Sequence, residues 1–498
     1  MIFNNFIGGK WVPAGSGKTF DSLNPATGEL VGRCADSGQE DLNTAVEAAK
    51  NAFESWRRMP APRRGEILFR VAERLIKDKE ELARTVTCEM GKVLPEGRGD
   101  VQEAIDMAYY MAAEGRRQFG QVVPSELPDK SAQCVREPLG VAGLITPWNF
   151  PIAIPAWKMF PALILGNTVV LKPSPETPVA VARFVKVLGE SGMPPGVVNL
   201  VLGHSPKLGE WLVSHEDVAV ISFTGSTQTG GKVAEETARL YKRVALEMGG
   251  KNAILVMEDA DLDLAVDGIL WSAFGTTGQR CTACSRLIVQ EGVKERLTQK
   301  LLTRMAKLRV GNGLEPNTDI GPLVNQAALG NVQERVRQGQ QEGARLLAGG
   351  KALTAGEHAK GHFYEPTLLD QVTPAMPLAQ EEIFGPVLGI IEVKDLDEAI
   401  GVNNQVKYGL STSIYTRDIN RAFRAMRDIR TAIVYVNAGT IGSEVQLPFG
   451  GMRQTGNGHR EAGQAALDSF SEWKTIYVDY SGRLQKAQID PHAEPEGA

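Results

Sequence analysis

The pattern of apolar and polar residues divides the chain into a helical first part and a longer part in which strands and helices alternate. From Asp41 onward, apolar residues recur at spacings of three and four, beginning with Ala45 and Ala49. This spacing is typical of amphipathic helices. It predicts four helices, one from Asp41, one over residues 63–77, one over residues 79–91 and one over residues 97–117.

Beyond residue 140 the pattern predicts short apolar strands that alternate with helices. This alternation is typical of a parallel sheet covered on both faces, so the predicted fold class is α/β. The first series has predicted strands at residues 141–145, 168–171, 198–201, 218–223 and 243–246, with helices at 157–165 and 179–191. The second has strands at 252–256, 287–289 and 387–393, with helices at 293–308 and 396–404. A domain boundary is predicted near Gly249 and Gly250.

The composition narrows the class of protein. The chain has 498 residues, and this length implies more than one structural unit, because single cores stop growing near about 250–300 residues. The net charge of −5 and the lack of a long basic run argue against a nucleic-acid surface. The longest apolar stretch, residues 152–170, is interrupted by prolines and Lys158, so no membrane span is expected. Five cysteines, an odd number, and no visible signal peptide predict a reduced, cytoplasmic protein.

A segment bordered by glycine, Gly275 to Arg286, contains the first candidate for chemistry. Glycine loosens the backbone there, so main-chain N–H groups near Cys281 can approach a ligand. Arg280 and Arg286 are expected to lower the pKa of the Cys281 thiol toward the reactive thiolate. The alternative is a small buried apolar side chain. Cys281 and Cys284 also form a CxxC pair, but no second ligand pair follows, so no metal site is predicted.

Further segments support a catalytic interpretation of Cys281. Glu247 ends an apolar segment, and a cysteine with a distant carboxylate suggests a covalent intermediate and a base that releases it. Together with the segments PWNFP at 147–151 and EIFGPV at 382–387, these residues resemble the aldehyde dehydrogenase superfamily. The resemblance runs from about Gly8 to about Tyr477, in the order and spacing of that family.

The resemblance implies an NAD(P)-dependent, non-acylating enzyme. In such an enzyme Cys281 attacks the aldehyde, Asn149 and the Cys281 N–H stabilise the oxyanion, and Glu247 activates water. The implied fold has a Rossmann-like cofactor domain (residues 1–119 and 139–249) and a second α/β catalytic domain (250–450). A small β oligomerisation arm (120–138 and 466–484) and an exposed tail (485–498) complete it. A homo-oligomer, a dimer or a homotetramer, is expected.

The cofactor site is predicted at strand ends and turns. A turn between strand and helix that contains Gly225 and Ser226 is neither a GxGxxG motif nor a P-loop, yet it offers free N–H groups to a pyrophosphate. In NAD-specific relatives an acidic residue stands three positions after the lysine that matches Lys172. Pro175 occupies that position here, so NADP is expected to be accepted at least as well as NAD. The remaining cofactor-binding positions implied by the resemblance are Thr146, Pro147, Trp148, Ser174, Gly249, Glu382 and Phe384.

The substrate is inferred from one loop. Residues 436–451 resemble relatives that oxidise semialdehydes with a distant carboxylate, particularly 2-oxoglutarate semialdehyde. Gly275 stands where some succinate semialdehyde enzymes have an arginine, and Arg280 is the candidate substitute. Glu472 matches an auxiliary acid in parts of the family and is equally a candidate surface charge. The predicted substrate-binding residues are Phe150, Trp157, Arg280, Ile441 and Phe449.

Two other functions stay open at this stage. A CoA-acylating relative would resolve the thioester with CoA instead of water, although that branch characteristically lacks the glutamate seen here as Glu247. A non-catalytic binding protein could share the fold, but Cys281, Asn149 and Glu247 together argue against it.

Overall fold

The computed structural model describes residues 1–489, which contain two seven-stranded sheets, two three-stranded sheets, one of them wholly antiparallel, and a two-stranded sheet. The helices are α1 Gln39–Arg58, α2 Ala61–Met90, α3 Leu94–Glu114, α4 Ala153–Leu165, α5 Pro178–Glu190, α6 Lys207–Ser214, α7 Thr227–Arg239, α8 Leu262–Phe274, α9 Glu291–Met305, α10 Gln326–Gln341, α11 Pro377–Gln380, α12 Leu396–Asn404, α13 Ile419–Asp428 and α14 Ala466–Ser469. The strands are β1 Ile2–Phe3, β2 Asn5–Ile7, β3 Lys10–Val12, β4 Thr19–Leu23, β5 Leu30–Ala35, β6 Gln121–Pro124, β7 Lys130–Pro138, β8 Val141–Thr146, β9 Thr168–Pro173, β10 Val198–Leu200, β11 Val218–Thr224, β12 Arg243–Glu247, β13 Asn252–Val256, β14 Cys284–Gln290, β15 Arg345–Ala348, β16 Ala352–Leu353, β17 Phe363–Tyr364, β18 Thr367–Asp370, β19 Val387–Val393, β20 Ser411–Tyr415, β21 Ile433–Val436 and β22 Ser471–Asp479.

The first large sheet has the strand order β12-β11-β8-β9-β10-β2-β3. The strands from β12 to β10 run parallel, and the N-terminal hairpin β2–β3 adds an antiparallel edge. Helices α2 to α5 pack on one face, and α1, α6 and α7 on the other. Because both faces are covered, the inner strands are continuous apolar runs and do not alternate apolar with polar residues.

The second large sheet has the order β15-β18-β19-β14-β13-β20-β21 and is parallel except for the edge strand β15. Helices α10, α12 and α13 cover one face, and α8 and α9 cover the other. Parallel strands align their carboxyl ends along one edge, which is where ligands bind in open α/β sheets. Both large sheets therefore offer such an edge to a functional site.

The small antiparallel sheet joins two distant parts of the chain. Strand β22 pairs with β7 along its whole length, from Ser471 opposite Pro138 to Asp479 opposite Lys130, and β6 pairs on the other side of β7. These strands belong to the two segments predicted as the arm, residues 120–138 and 466–484. The role of this small sheet in oligomerisation stays a prediction, and so do the domain boundaries.

One helical prediction is wrong. The helices expected at residues 63–77 and 79–91 are a single helix, α2, of 30 residues. The apolar pattern pauses after Ile76, but Lys77, Asp78 and Lys79 are neither glycine nor proline, so the helix continues through them. Gly91 ends α2 in the left-handed conformation (φ 96°), at the residue predicted. By contrast, the structure has β13, β19 and α12 with the bounds predicted for them.

Two further expectations concern a membrane span and the tail of the chain. Within residues 1–489, no helix combines the length and apolarity needed to cross a bilayer. The predicted exposed tail, residues 485–498, falls mostly outside the described residues, which end at Ile489.

Candidate active site

A strained turn presents Cys281. Helix α8 ends at Phe274, and a single 3₁₀ turn, Gly275–Gly278, follows with Thr276 and Thr277 both at positive φ (52° and 59°). This conformation is unfavourable for β-branched residues, so surrounding contacts must hold it. The backbone N–H of Thr276 donates to Glu96 Oε1 at 2.7 Å. At Gly278 an added Cβ would lie 2.2 Å from the Gly385 carbonyl oxygen, so only glycine fits there.

Cys281, which follows this turn, is held in place by a residue of the second large sheet. The side-chain amide of Asn252 donates to the Cys281 carbonyl oxygen at 2.7 Å. Asn149, which follows β8, donates one amide N–H to the Gln279 carbonyl oxygen at 3.0 Å, and its own oxygen has no hydrogen-bond partner. A carboxamide has two N–H groups, so the second remains for a ligand. The two large sheets thus meet around Cys281.

Cys281 and Glu247 line the same cavity, which has a volume of about 70 Å³. Glu247 is the last residue of β12, and its Oε2 accepts a hydrogen bond from the Gly451 N–H at 3.2 Å. Its other oxygen is buried without a partner. Burial, and then the negative charge of Glu461, raise the pKa of Glu247 well above its ordinary value. A carboxyl group of raised pKa that faces a nucleophile can act as a general base near neutral pH.

Sequence reasoning missed a buried ion pair beside Glu247. Lys158 on α4 is fully buried, pairs with Glu461 and donates to Ser222 Oγ at 3.0 Å. Glu461 lines the same cavity as Glu247 and Cys281. The one signal in the sequence was a lysine within the otherwise apolar segment of α4. Glu472, the residue considered as an auxiliary acid, lies instead on exposed β22 and pairs with Arg243, so the surface-charge alternative describes it.

The expected lowering of the cysteine pKa is wrong for the free protein. Burial raises the pKa of the Cys281 thiol to about 12, and the negative charges of Glu382 and Glu247 add to this effect. The neighbouring guanidinium groups are engaged elsewhere. Arg280 Nε donates to the Thr276 hydroxyl at 2.7 Å, and Arg286 Nε donates to the Lys251 carbonyl oxygen at 2.8 Å.

Cys284 differs from Cys281 although both thiols have raised pKa values. Cys284 begins β14, is buried, and contacts the Arg286 carbonyl oxygen at 3.4 Å. Burial raises the pKa of its thiol to about 12. Among the described residues, no cluster of three or more His, Cys, Asp or Glu side chains could hold a metal ion.

A larger groove of about 680 Å³ lies at the carboxyl ends of the first sheet. Eight of the predicted cofactor positions line it, namely Thr146, Pro147, Trp148, Lys172, Ser174, Pro175, Gly225 and Ser226. Ser226 caps α7 by accepting a hydrogen bond from the Thr229 N–H, so a positive helix end faces the groove. The buried hydroxyls of Thr146 and Thr224, both in the wall, have no hydrogen-bond partner. Free donors and a helix N-terminus fit a dinucleotide cofactor.

The remaining predicted cofactor residues lie between the groove and the cysteine turn. Glu382 Oε1 accepts a hydrogen bond from the Gly250 N–H at 3.0 Å. A Cβ at Gly249 would lie 2.0 Å from the other Glu382 oxygen, so this close approach requires glycine. Phe384 packs edge-on against Trp148 with ring centroids 5.4 Å apart. Burial raises the pKa of Glu382 to about 7 and lowers that of Lys172 to about 8.

The predicted substrate residues divide into two groups. Phe150, Trp157, Arg280 and Phe449 line the cavity of Cys281. Ile441 is buried and, in the described part of the chain, is not among the lining residues. Its neighbours Gly442 and Ser443 do line the cavity, as does Glu103 on α3, which sequence reasoning missed.

A partly exposed cysteine and a buried carboxylate line one small cavity, and a groove with free donors for a dinucleotide lies at the strand ends of the first sheet. These features define an oxidoreductase that combines a dinucleotide with a thiol nucleophile. The model of the aldehyde dehydrogenase family matches residues 11–476. The chain therefore belongs to the aldehyde dehydrogenase family and is an NAD(P)-dependent aldehyde dehydrogenase, as the sequence motifs predicted.

Individual relatives agree with this assignment. The chain is 43% identical over 475 residues to the alpha-ketoglutaric semialdehyde dehydrogenase of Bacillus subtilis. The aligned residues cover 95% of this chain and 97% of that protein. The crystal structure of betaine aldehyde dehydrogenase from Staphylococcus aureus in complex with NAD+ is 33% identical, with a TM-score of 0.94 over 97% of this chain and 96% of that chain. An NADP dependent enzyme of E. coli is 36% identical, with a TM-score of 0.93 over 96% of this chain and 98% of that chain. The predicted fold class is confirmed by these structures.

Proposed function

We propose that the protein oxidises a semialdehyde with a distant carboxylate, in particular 2-oxoglutarate semialdehyde, to the corresponding acid. The observation that carries this proposal is that Arg280 lines the same small cavity as Cys281. Its guanidinium group lies 5.2 Å from the Phe150 ring and 5.0 Å from the Trp271 ring, which limits its motion. A fixed cation near the nucleophile attracts an anionic group at the far end of a short substrate. The 43% identity to the Bacillus subtilis enzyme supports the same substrate class.

The residues divide the reaction into two steps. The Cys281 sulfur attacks the aldehyde carbon, and the free amide N–H of Asn149 together with the Cys281 backbone N–H stabilises the oxyanion. When bound, the nicotinamide cofactor supplies the hydride acceptor. Glu247 then activates water, which releases the acid from the Cys281 thioester. Covalent catalysis makes one difficult oxidation into two easier steps.

A proton acceptor is needed before the attack, because burial raises the pKa of Cys281 to about 12. Glu247 Oε1, which has no partner and belongs to a residue in the cavity wall, is the acceptor we assign. Glu247 must release this proton to solvent before it can accept the second one from the hydrolytic water. The ion pair of Lys158 and Glu461 lies in the same wall and fixes the electrostatic environment of Glu247. The roles of Glu382 and Phe384 are to hold the nicotinamide end of the cofactor beside this cavity.

For the cofactor, we propose that NADP is accepted at least as well as NAD. The Pro175 side chain offers no acceptor to the groove, whereas the Lys172 and Ser174 side chains offer donors. Glu176, the residue after Pro175, would restore an acceptor if its side chain pointed into the groove. Its carboxylate instead accepts a hydrogen bond from the Asn325 side chain at 3.0 Å, and Glu176 does not line the groove. Glu210 and Glu236 elsewhere in the wall oppose a second phosphate, which limits the preference.

The substrate proposal is tested with aldehydes of matched length. We expect kcat/KM for 2-oxoglutarate semialdehyde or succinate semialdehyde to exceed that for a neutral aldehyde of similar length by roughly tenfold or more, because a charge-assisted contact contributes about 1.5–3 kcal/mol. Arg280→Gln should remove most of this preference while neutral aldehydes remain substrates. A native preference for propanal or benzaldehyde would contradict the proposal.

The same assay separates the CoA-acylating alternative. Product formation that requires CoA would identify that activity, and product formation in water alone would exclude it.

We further propose a cytoplasmic homo-oligomer, with the small antiparallel sheet in the interface. Its edge strand β6 is fully exposed, including Val122 and Val123, which supports this assignment. Size-exclusion chromatography with light scattering measures the assembly, and a monomer at micromolar concentration would contradict it.

A further inference from the structure

Glu103 is a charged residue in the substrate cavity to which the reaction assigns no role. It lies on α3, is half-buried, and lines the cavity together with Cys281 and Arg280. Among the described residues it has no ion-pair or hydrogen-bond partner. A carboxyl group beside the proposed binding site of a carboxylate presents a conflict of charge. Its protonation state therefore bears directly on which aldehydes enter.

The charges behind the cavity wall are balanced without Glu103. Arg280 pairs with Glu96 at 3.3 Å, and Lys92 pairs with Asp100 at 3.1 Å. Both partners of the second pair are fully buried, and the Lys92 ammonium lies 3.7 Å from the centre of the Phe150 ring. Two cations thus face two anions, and an ionised Glu103 adds an unbalanced negative charge.

The neighbours of Glu103 favour its neutral form. Burial, and then the negative charge of Asp100, raise the pKa of Glu103 to about 7, and Asp106 acts in the same direction. Arg280 and Lys92 act in the opposite direction but are already paired. Because this pKa is raised, the carboxyl group is neutral below about pH 7 and becomes charged as the pH rises through that value.

The other charged groups around α3 do not neutralise Glu103. Across the cavity are two more carboxyl groups, Glu247 and Glu461, of which Glu461 is paired with Lys158 on α4. On α2, the Lys79 ammonium donates to the Gln102 side chain at 2.6 Å. The cavity therefore becomes more negative as Glu103 ionises.

We propose that Glu103 determines substrate specificity through its protonation: the anionic end of a semialdehyde binds beside Arg280 when Glu103 is neutral and is repelled when Glu103 is charged. The neutral carboxyl group donates a hydrogen bond to the substrate carboxylate. Arg280, whose Nε and Nη2 already bond Thr276 and Glu96, donates through the N–H groups of Nη1, to which the described residues give no partner. This inference rests on the proposed semialdehyde substrate, and the experiment below tests the two separately.

The test is the pH dependence of a ratio. With the cofactor saturating, kcat/KM is measured for succinate semialdehyde and for butanal from about pH 6 to about pH 8.5, a range in which the substrate carboxylate stays ionised. Dividing the two values cancels the ionisation of Cys281 and Glu247, which both substrates share. We expect the ratio to fall about three- to tenfold as the pH rises, because like charges repel in a cavity of low dielectric constant.

Two variants assign the effect to Glu103. In Glu103→Gln the ratio should stay at its low-pH value across the range, and butanal activity should show that the variant folds. Asp106→Asn removes an exposed carboxylate from the same helix and should keep the pH dependence, with a lower midpoint because Asp106 raises the pKa of Glu103. The inhibition constant of glutarate, measured for the same proteins, reports binding without turnover and should follow the ratio.

The possible outcomes separate the two hypotheses. A ratio independent of pH in the native enzyme, or an unchanged pH dependence in Glu103→Gln, overturns the role of Glu103 whichever substrate is preferred. A ratio that falls with pH only when Glu103 is present supports that role, even if butanal is the better substrate at every pH. That last result would contradict the proposed semialdehyde substrate alone.

Discussion

The catalytic cavity and the cofactor groove are built in opposite ways. The groove, about 680 Å³, is lined by short runs of consecutive residues at strand ends, such as residues 145–148 and 223–226. The cavity, about 70 Å³, takes runs of one to three residues from segments far apart in sequence and contains three carboxyl groups, Glu103, Glu247 and Glu461. The groove thus presents backbone and small side chains to a large ligand. The cavity presents buried charged groups to a small ligand. Substitutions should therefore affect the cavity and the groove differently.

The largest effect is expected from loss of the thiol. Cys281→Ala should lower aldehyde oxidation at least about a thousandfold, because no other nucleophile faces the carbonyl carbon. Binding of the fluorescent reduced cofactor NADPH, measured by fluorescence titration, should stay close to that of the native protein, since the groove is unchanged. Cys284→Ala is the matched control and should retain most activity. Equal losses in both variants would instead indicate a redox or metal role for the CxxC pair.

The next effect separates the two steps at Glu247. In Glu247→Gln, steady-state turnover should fall roughly a hundredfold to ten-thousandfold, the range for removal of a general base. If hydrolysis of the thioester is the only slowed step, a rapid burst of reduced cofactor should precede the slow phase in stopped-flow absorbance. Because Glu247 is also assigned as the acceptor of the Cys281 proton, we expect the burst itself to be slower than in the native enzyme. Absence of the burst would mean that Glu247 is needed before hydride transfer, to deprotonate Cys281.

A third variant contrasts buried charge in the two regions. Lys158→Met leaves Glu461 buried without its cation and should lower the free energy of unfolding by about 3–5 kcal/mol. Lys158→Met combined with Glu461→Gln should recover much of this loss. Lys172→Met, in the groove, removes a lysine for which the structure gives no ion pair and whose charged form burial disfavours, so it should not lower the free energy of unfolding. Urea unfolding measures the free energy of unfolding of the two single variants and of the double variant. Similar losses of stability in Lys158→Met and Lys172→Met would contradict the proposed difference between cavity and groove.

The smallest effect concerns cofactor choice. Pro175→Glu should shift the ratio of kcat/KM for NAD and NADP about tenfold toward NAD, because an anion there accepts hydrogen bonds from a ribose and repels a phosphate. Pro175→Ala, which adds no charge, should leave the ratio near its native value. A native enzyme that already prefers NAD more than tenfold, or an unchanged ratio in Pro175→Glu, would refute the assignment.

The same contrast explains what could be predicted from the sequence. Strands such as β13 and β19 could be predicted because each is a continuous apolar run, and the groove follows because its residues stand directly after such strands. Lys158 and Glu461 are 303 residues apart, and no local pattern joins them. The pKa of Cys281 was misjudged for a related reason. Adjacency in sequence indicated two helpful cations, but Arg280 contacts Thr276 and Glu96, and burial dominates.

The pairing of β22 with β7 has a consequence for synthesis of the protein. The chain leaves the ribosome from its N-terminus, so β7 and Lys158 emerge long before Ser471 and Glu461. Until Glu461 and β22 have been translated, one edge of β7 lacks its partner strand and Lys158 lacks its counter-charge. A nascent chain stalled near residue 460 therefore exposes an unpaired strand edge, which is the kind of surface that chaperones protect and that aggregates form from. Among the described residues, the pairing of β22 with β7 is therefore the last strand pairing that synthesis allows, after the strands of both large sheets have been made.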